Sequence, residues 1–303
     1  ERIGEVLQER HFEPLIGVLA ASILMIGALG FKLSLVPSHT WTPDVYEGSS
    51  APLAGYMAIV PKIAGFVVAM RLFEVIILSG VVWLEQALYV LVVLTMTLAN
   101  ITALVQEDVK RMLAFSSIAH AGSMMAAIMI GTNQANTALF LYWTLFMFAN
   151  LGAFTMLWAV RHRENLWDKR YQHPFTKFSG MIKIMPTMAT IMAIFMFALA
   201  GMPPLSVFWG KMYLISAALN AGFVYLAVIM VINSAIAVYY YMKLVVYMFL
   251  REPMMSDARL YKTNASMPLK VIIGFAVMIS VFAIVFVEPL LEIMTQYVLV
   301  SGF

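Results

Sequence analysis

Phe197-Ala198-Leu199-Ala200-Gly201-Met202-Pro203-Pro204-Leu205-Ser206-Val207-Phe208-Trp209-Gly210-Lys211 lies inside the apolar stretch Ile184–Ala218. That stretch is longer than the roughly 20 residues that one straight crossing of a bilayer takes. Proline lacks the amide donor and clashes with the preceding turn, so Gly201, Pro203 and Pro204 interrupt the helix. The carbonyls freed there are tolerated at membrane depth only against protein or a wet cavity. A second interruption follows the same grammar. Val36-Pro37-Ser38-His39 ends one apolar run, and Thr40-Trp41-Thr42-Pro43-Asp44 starts a short helix beyond it.

Around these two breaks the remaining spans fall into place. Eight stretches read as crossings: 14–36, 52–73, 81–105, 112–130, 137–160, 184–218, 223–250 and 269–297. The expected fold is therefore an all-α integral membrane protein of about eight transmembrane helices, two of them discontinuous. Composition agrees. Of 303 residues, 62% are hydrophobic and 12% charged, against about 25% charged in soluble domains, and the mean hydropathy is +0.88. With no cysteine, disulfides, iron–sulfur ligation and thiolate zinc sites are excluded. No HExxH helix and no phosphate-cradling Gly-rich loop is present. The net charge of +3 comes from loops flanking the membrane and does not indicate nucleic acid. The opening Glu1-Arg2-Ile3 has neither an initiator Met nor a cleavable signal pattern, and reads as the interior of a longer chain.

Loop charges set the orientation. Twelve cations, from Lys110 and Arg111 through Lys183 to Lys270, fall on one side; only Arg2, Arg10 and Arg71 fall on the other. The cation-rich side is expected in the cytoplasm, with both ends of the chain outside. The connection 161–183, with Leu166, Trp167, Tyr171, Phe175 and Phe178, is expected along the membrane surface.

Three lysines remain inside apolar sequence: Lys32, Lys62 and Lys211. A lysine at the bilayer centre costs about 2.5–3.5 kcal/mol on insertion scales. Low-dielectric burial disfavours an ammonium, and a lysine so placed can load and release a proton. Two readings stand for each. Lys32, five residues before Pro37, is a relay group or a structural cap. Lys62, deep in its span beside Pro61, is a relay group or a lysine bonded to backbone carbonyls that the proline frees. Lys211, two turns after the second break, is the one expected to line a wet cavity. His120, with Ser116 and Ser117 one turn back, is a proton carrier or a hydrogen-bonded packing element. His39 couples the first break to Lys32 or lies near the surface. Lys243 is read as snorkelling. Asp44 and Glu47 form a cap or a partner contact.

The order of motifs resembles the antiporter-like N subunits of bacterial respiratory complex I, the counterparts of mitochondrial subunit 2. It comprises Phe31-Lys32 through Trp41-Thr42-Pro43-Asp44-Val45-Tyr46, Pro61-Lys62-Ile63-Ala64, Val109-Lys110-Arg111 through Ser116-Ser117-Ile118-Ala119-His120, and Gly201-Met202-Pro203-Pro204 followed by Phe208-Trp209-Gly210-Lys211. The resemblance implies a fourteen-helix fold with two inverted repeats, of which this chain carries the last part. Residues 1–73 would be the tail of the first repeat, 74–250 the second repeat, and 251–303 a cytoplasmic loop and closing helix. It implies proton translocation through Lys32, Lys62, His120 and Lys211, with His39, Ser116 and Ser117 in support. The helices that would hold the acidic partner of Lys32 lie outside the sequence. A proline precedes Lys62 where many relatives carry a small polar residue.

The implied function is a proton-translocating membrane-arm subunit of NADH:quinone oxidoreductase in the bacterial inner membrane. NADH, FMN, iron–sulfur clusters and quinone would sit in other subunits, with no cofactor or metal in this one. M-like and K-like subunits would be its neighbours, and protons its only substrate. The competing readings are a related Mrp-type cation/proton antiporter or membrane-bound hydrogenase subunit, an independent solute permease, and an inert assembly scaffold.

Overall fold

A computed structural model of the chain describes residues 16–78, 82–162, 173–253, 261–263 and 266–302. They form α1 (Ile16–Leu33), α2 (Trp41–Gly48), α3 (Ala51–Leu78), α4 (Val82–Leu104), α5 (Val109–Ile130) and α6 (Asn133–Ala159). After a 3-10 turn at Phe175–Phe178 come α7 (Met181–Ile184), α8 (Pro186–Ala200), α9 (Ser206–Asn220) and α10 (Val224–Leu250), then α11 (Met267–Val281) and α12 (Ala283–Ser301). A short antiparallel ribbon, β1 (Val160–His162) against β2 (Tyr261–Thr263), ties the end of α6 to the connection before α11. Among the described residues, six helices (α3, α4, α5, α6, α10 and α12) are long and apolar enough to cross a membrane singly, and α1, α8 and α11 are shorter apolar helices. This is the architecture of a multi-pass membrane protein.

The helix ends follow from local chemistry. Asp108 caps α5 by accepting from the Lys110 and Arg111 amides at 2.8 and 3.1 Å, which satisfies donors a helix start leaves free. Gly131, left-handed at φ 67°, ends α5, and Thr132 caps α6 one residue later. This two-residue turn lays α5 and α6 antiparallel. α5 is almost wholly buried, and α6 packs on α3, α5, α8, α9, α11 and α12. The chemistry below is built around these two inner helices.

Three expectations are corrected. The stretch 269–297 is two helices, parted at Phe282, whereas Pro289 stays inside α12 and Pro61 inside α3. Neighbouring helices and polar groups re-satisfy the carbonyl a proline frees, so proline alone does not mark a break. Of the connection expected on the membrane surface, Leu166, Trp167 and Tyr171 lie outside the described residues, but Phe175 and Phe178 are buried. Lys110, counted as a loop charge, is buried, and its amine donates to the Ser49 carbonyl at 2.7 Å. Beside it Arg111 pairs with both Asp44 and Glu47 at 2.7 and 2.6 Å. The two acids therefore tie α2 to the start of α5.

Candidate proton-relay site

Both interruptions close as the same capped helix end. At the second, the Gly201 amide donates to Ala198 O and the Met202 amide to Phe197 O, the paired bonds of a left-handed C-terminal cap. Gly201 has φ 81°, where a residue with a Cβ is strained. At the first, Ser34 donates to Phe31 O and Leu35 to Gly30 O, with Ser34 itself at φ 63°. The Thr42 hydroxyl donates to Ser34 Oγ at 2.7 Å and holds that turn against α2. Pro37, Pro203 and Pro204 are exposed on the connecting turns.

The lysines are placed differently. Lys62 on α3 is 4% exposed, and its amine donates to Ser117 Oγ at 2.8 Å and to the Ser117 carbonyl at 3.1 Å. A backbone carbonyl does hold it, but one on α5, not one freed by Pro61. Lys211 on α9 reaches back across the second break to the Ala200 carbonyl at 3.0 Å, taking an acceptor that the end of α8 leaves open. Its position depends on Gly210. A Cβ there would lie 2.6 Å from the Tyr142 Cα, so only glycine lets α9 approach α6 this closely. Among the described residues Lys32 is exposed: α1 packs against α3 along one face and Lys32 sits at the margin of that contact, its stem beside Gly65. The capping role considered for it belongs to Trp41, whose indole donates to Phe31 O at 3.1 Å.

Between Lys62 and Lys211 runs a line of hydrogen-bonding side chains. His120 is 4% exposed. Its Nδ1 shares a hydrogen bond with the Tyr142 hydroxyl at 2.7 Å, and its Nε2 shares one with the Tyr241 hydroxyl at 3.1 Å. Tyr241 in turn is hydrogen-bonded to Ser116 Oγ, and Ser116 precedes the serine that holds Lys62. Beyond His120 lies a small polar void of about 10 Å³, room for about one water, whose walls include Tyr142, Lys211, Asn100, Asn233 and Tyr240. Asn100 and Asn233 are hydrogen-bonded to each other at 3.1 Å, and Tyr240 donates to Asn100 at 2.9 Å. Lys62, Ser117, Ser116, His120 and Lys211 thus lie on three helices, α3, α5 and α9, and two of them, His120 and Lys211, line the void. His39 is half-buried in the turn between α1 and α2, outside this line. Lys243 donates to Gln106 O at 2.8 Å and lies over the Phe175 ring. Sequence reasoning missed Tyr142, Tyr241, Asn100 and Asn233. The available signal was a polar residue inside an otherwise apolar span.

Every group in this line suits proton exchange. A hydroxyl donates and accepts at once, and a neutral imidazole carries one donor and one acceptor nitrogen. Among the described residues no cluster of three His, Asp or Glu could hold a metal ion.

Residues 6–237 match the family model described as NADH:quinone oxidoreductase/Mrp antiporter, TM. The chain is 56% identical over its whole length to the NADH-quinone oxidoreductase subunit N of Campylobacter concisus and 57% identical to that of Sulfurimonas denitrificans, covering 61% and 60% of them. The chain thus spans about three fifths of the length of these relatives. A chain of the Thermus thermophilus respiratory complex I, solved with bound aureothin, superposes with a TM-score of 0.74 at 30% identity, over 90% of this chain and 58% of that one. A chain of the Mrp complex from a Dietzia species has the same fold, with a TM-score of 0.76 at 20% identity, over 93% of this chain and 60% of that one. Motif order, paired helix breaks and these likenesses agree: the chain belongs to the NADH:quinone oxidoreductase/Mrp antiporter transmembrane family.

Proposed function

We propose that this chain carries the second half of a proton path in a membrane-arm subunit of NADH:quinone oxidoreductase, a subunit of the N type, in a bacterial inner membrane. The observation that supports this most directly is the line Lys62–Ser117, Ser116–Tyr241–His120–Tyr142 and the polar void shared with Lys211. Residues 1–73 act as the tail of a first repeat, 74–250 as the second repeat, and 251–303 as loop and closing helix. M-like and K-like subunits flank it. NADH, flavin, iron–sulfur clusters and quinone act in other subunits, and this chain contributes no redox group.

In this reading Lys62 receives a proton, passes it towards His120, and Lys211 takes it on from the void. Moving one elementary charge across about 100 mV requires roughly 2.3 kcal/mol, comparable to one hydrogen bond to a charged group, about 1.5–3 kcal/mol. Remaking the Lys62–Ser117 bond is therefore enough to gate a step. Lys32, at the end of α1, serves as the entry. The test is proton uptake by membrane vesicles holding the assembled enzyme. Lys62→Ala should abolish NADH-driven acidification while NADH oxidation by an artificial acceptor is unchanged. Full acidification in that variant refutes the reading.

A further inference from the structure

Asn150, in the middle of α6, is fully buried, and neither its Oδ1 nor its Nδ2 meets a hydrogen-bond partner among the described residues. A side-chain amide offers two donors and an acceptor oxygen, and leaving such a group unmet costs about 1–3 kcal/mol. Its surroundings are fixed by the residues one turn to either side. Four residues earlier, Phe146 sets its ring 4.6 Å from that of His120. Four residues later, Phe154 meets the Tyr46 ring edge-on at 6.3 Å. Residues four apart share a helix face, so Asn150 stands between these contacts, about 6 Å along the axis from each. Because α5 runs antiparallel to α6, one turn back from His120 arrives at Ser116 and Ser117. Asn150 is level with both serines.

That is where the line of hydrogen bonds is interrupted. Successive side chains on a helix diverge by about 100°, and the two serines serve different neighbours. Ser117 takes the Lys62 amine on α3, whereas Ser116 takes the Tyr241 hydroxyl on α10. The Tyr46 hydroxyl is also buried here; it approaches Ser117 but closes no hydrogen bond.

We propose that Asn150 binds a small buried water cluster that joins the Lys62–Ser117 pair to the Ser116–Tyr241–His120 chain, making Asn150 a positioning residue for proton transfer between Lys62 and His120. This rests on the proton-path reading above. A buried water needs two to four polar partners, and Asn150, the serine hydroxyls and Tyr46 supply them. The transfer balances without an added reactant. An N–H bond breaks at Lys62 as an O–H bond forms on the water, and an O–H bond breaks at the far end of the chain as an N–H bond forms on His120. The amide donates to and accepts from the water and does not ionise.

The test compares Asn150→Leu, Asn150→Ala and Lys62→Ala in the assembled enzyme in vesicles, with acceptor-linked NADH oxidation as the control. Leucine fills the site and excludes water, so acidification should fall about tenfold, whereas alanine leaves room for a further water and should stay within about twofold of wild type. A packing role predicts the reverse order, because alanine leaves the larger cavity. Wild-type acidification in Asn150→Leu, or an equal fall in both variants, overturns the proposal. An unaffected Lys62→Ala variant refutes instead the proton-path reading. A density map of the wild-type assembly decides the site even where Asn150→Leu does not assemble: water within about 3 Å of the amide supports it, and a dry amide overturns it.

Discussion

The two broken helices use one backbone device and reach different ends. Each closes with paired amide-to-carbonyl bonds around a left-handed residue, Ser34 in one and Gly201 in the other. The first lysine stands before its break and the second after. Lys211 therefore points back over the turn to Ala200 O, beside the polar void, whereas at the first break Trp41 covers Phe31 O and Lys32 is left exposed. One lysine is part of the cap; the other has been relieved of capping. The comparison teaches that a lysine near a helix break takes its role from which side of the break it occupies and from what else can reach the open carbonyl.

The largest effect that would sharpen this comparison is expected from glycine replacements beside each lysine. Gly210→Ala sets a Cβ 2.6 Å from the Tyr142 backbone, and overpacking of this kind costs about 1–3 kcal/mol or more. Gly65→Ala meets only the tip of Leu33, at 2.8 Å, and should cost less. Melting of the detergent-purified chain checks the order, and equal losses would break it. Next, Lys211→Met leaves Ala200 O open and should cost about 1–3 kcal/mol, against under about 0.5 kcal/mol for Lys32→Met. If Lys32→Met is the more damaging in the same measurement, the assignment of caps is reversed. Smaller again, Gly201→Ala should cost about 1–2 kcal/mol for a Cβ at positive φ. Ser34→Gly relieves that strain but forfeits the bond from Thr42, leaving a change near zero.

A pH-dependent effect, read as a slope and not as a single loss, comes from the connection between α6 and α7. The backbone amide of His173 donates to Asp108 Oδ2 at 2.5 Å, and its carbonyl accepts from Val109 at 2.8 Å, in the connection ahead of α7. Burial, and then the Lys177 and Lys110 charges, hold its imidazole well below the usual histidine range. The folded state thus binds fewer protons than the unfolded state once the pH drops below about 6.5. Stability supplied by the neutral ring is complete above that pH and declines as the pH falls towards the folded value. Melting temperatures of wild type and His173→Gln, taken between pH 8 and pH 5, should show the steeper acid-side fall in wild type; parallel curves would contradict this.

Much of this was legible in the sequence. Pro37, Gly201, Pro203 and Pro204 mark true breaks, and Ser116 and His120 both meet Tyr241, whereas Ser117 turns to Lys62. What spacing cannot convey is the identity of the neighbour across a helix interface. Tyr142 and Tyr241 lie 22 and 121 positions from the histidine they bond, and only the packing of α6 and α10 onto α5 unites them. The division at Phe282 had no glycine or proline to announce it.

The central claim is that the line from Lys62 through His120 to Lys211 conducts protons. It is tested most directly by the ratio of protons moved to electrons passed in vesicles of the assembled enzyme, with His120→Phe compared with wild type. Phenylalanine keeps the ring packing on Phe146 but removes both nitrogens that bond Tyr142 and Tyr241. The account predicts a lower ratio with electron transfer to an artificial acceptor unchanged; a wild-type ratio in that variant would contradict it.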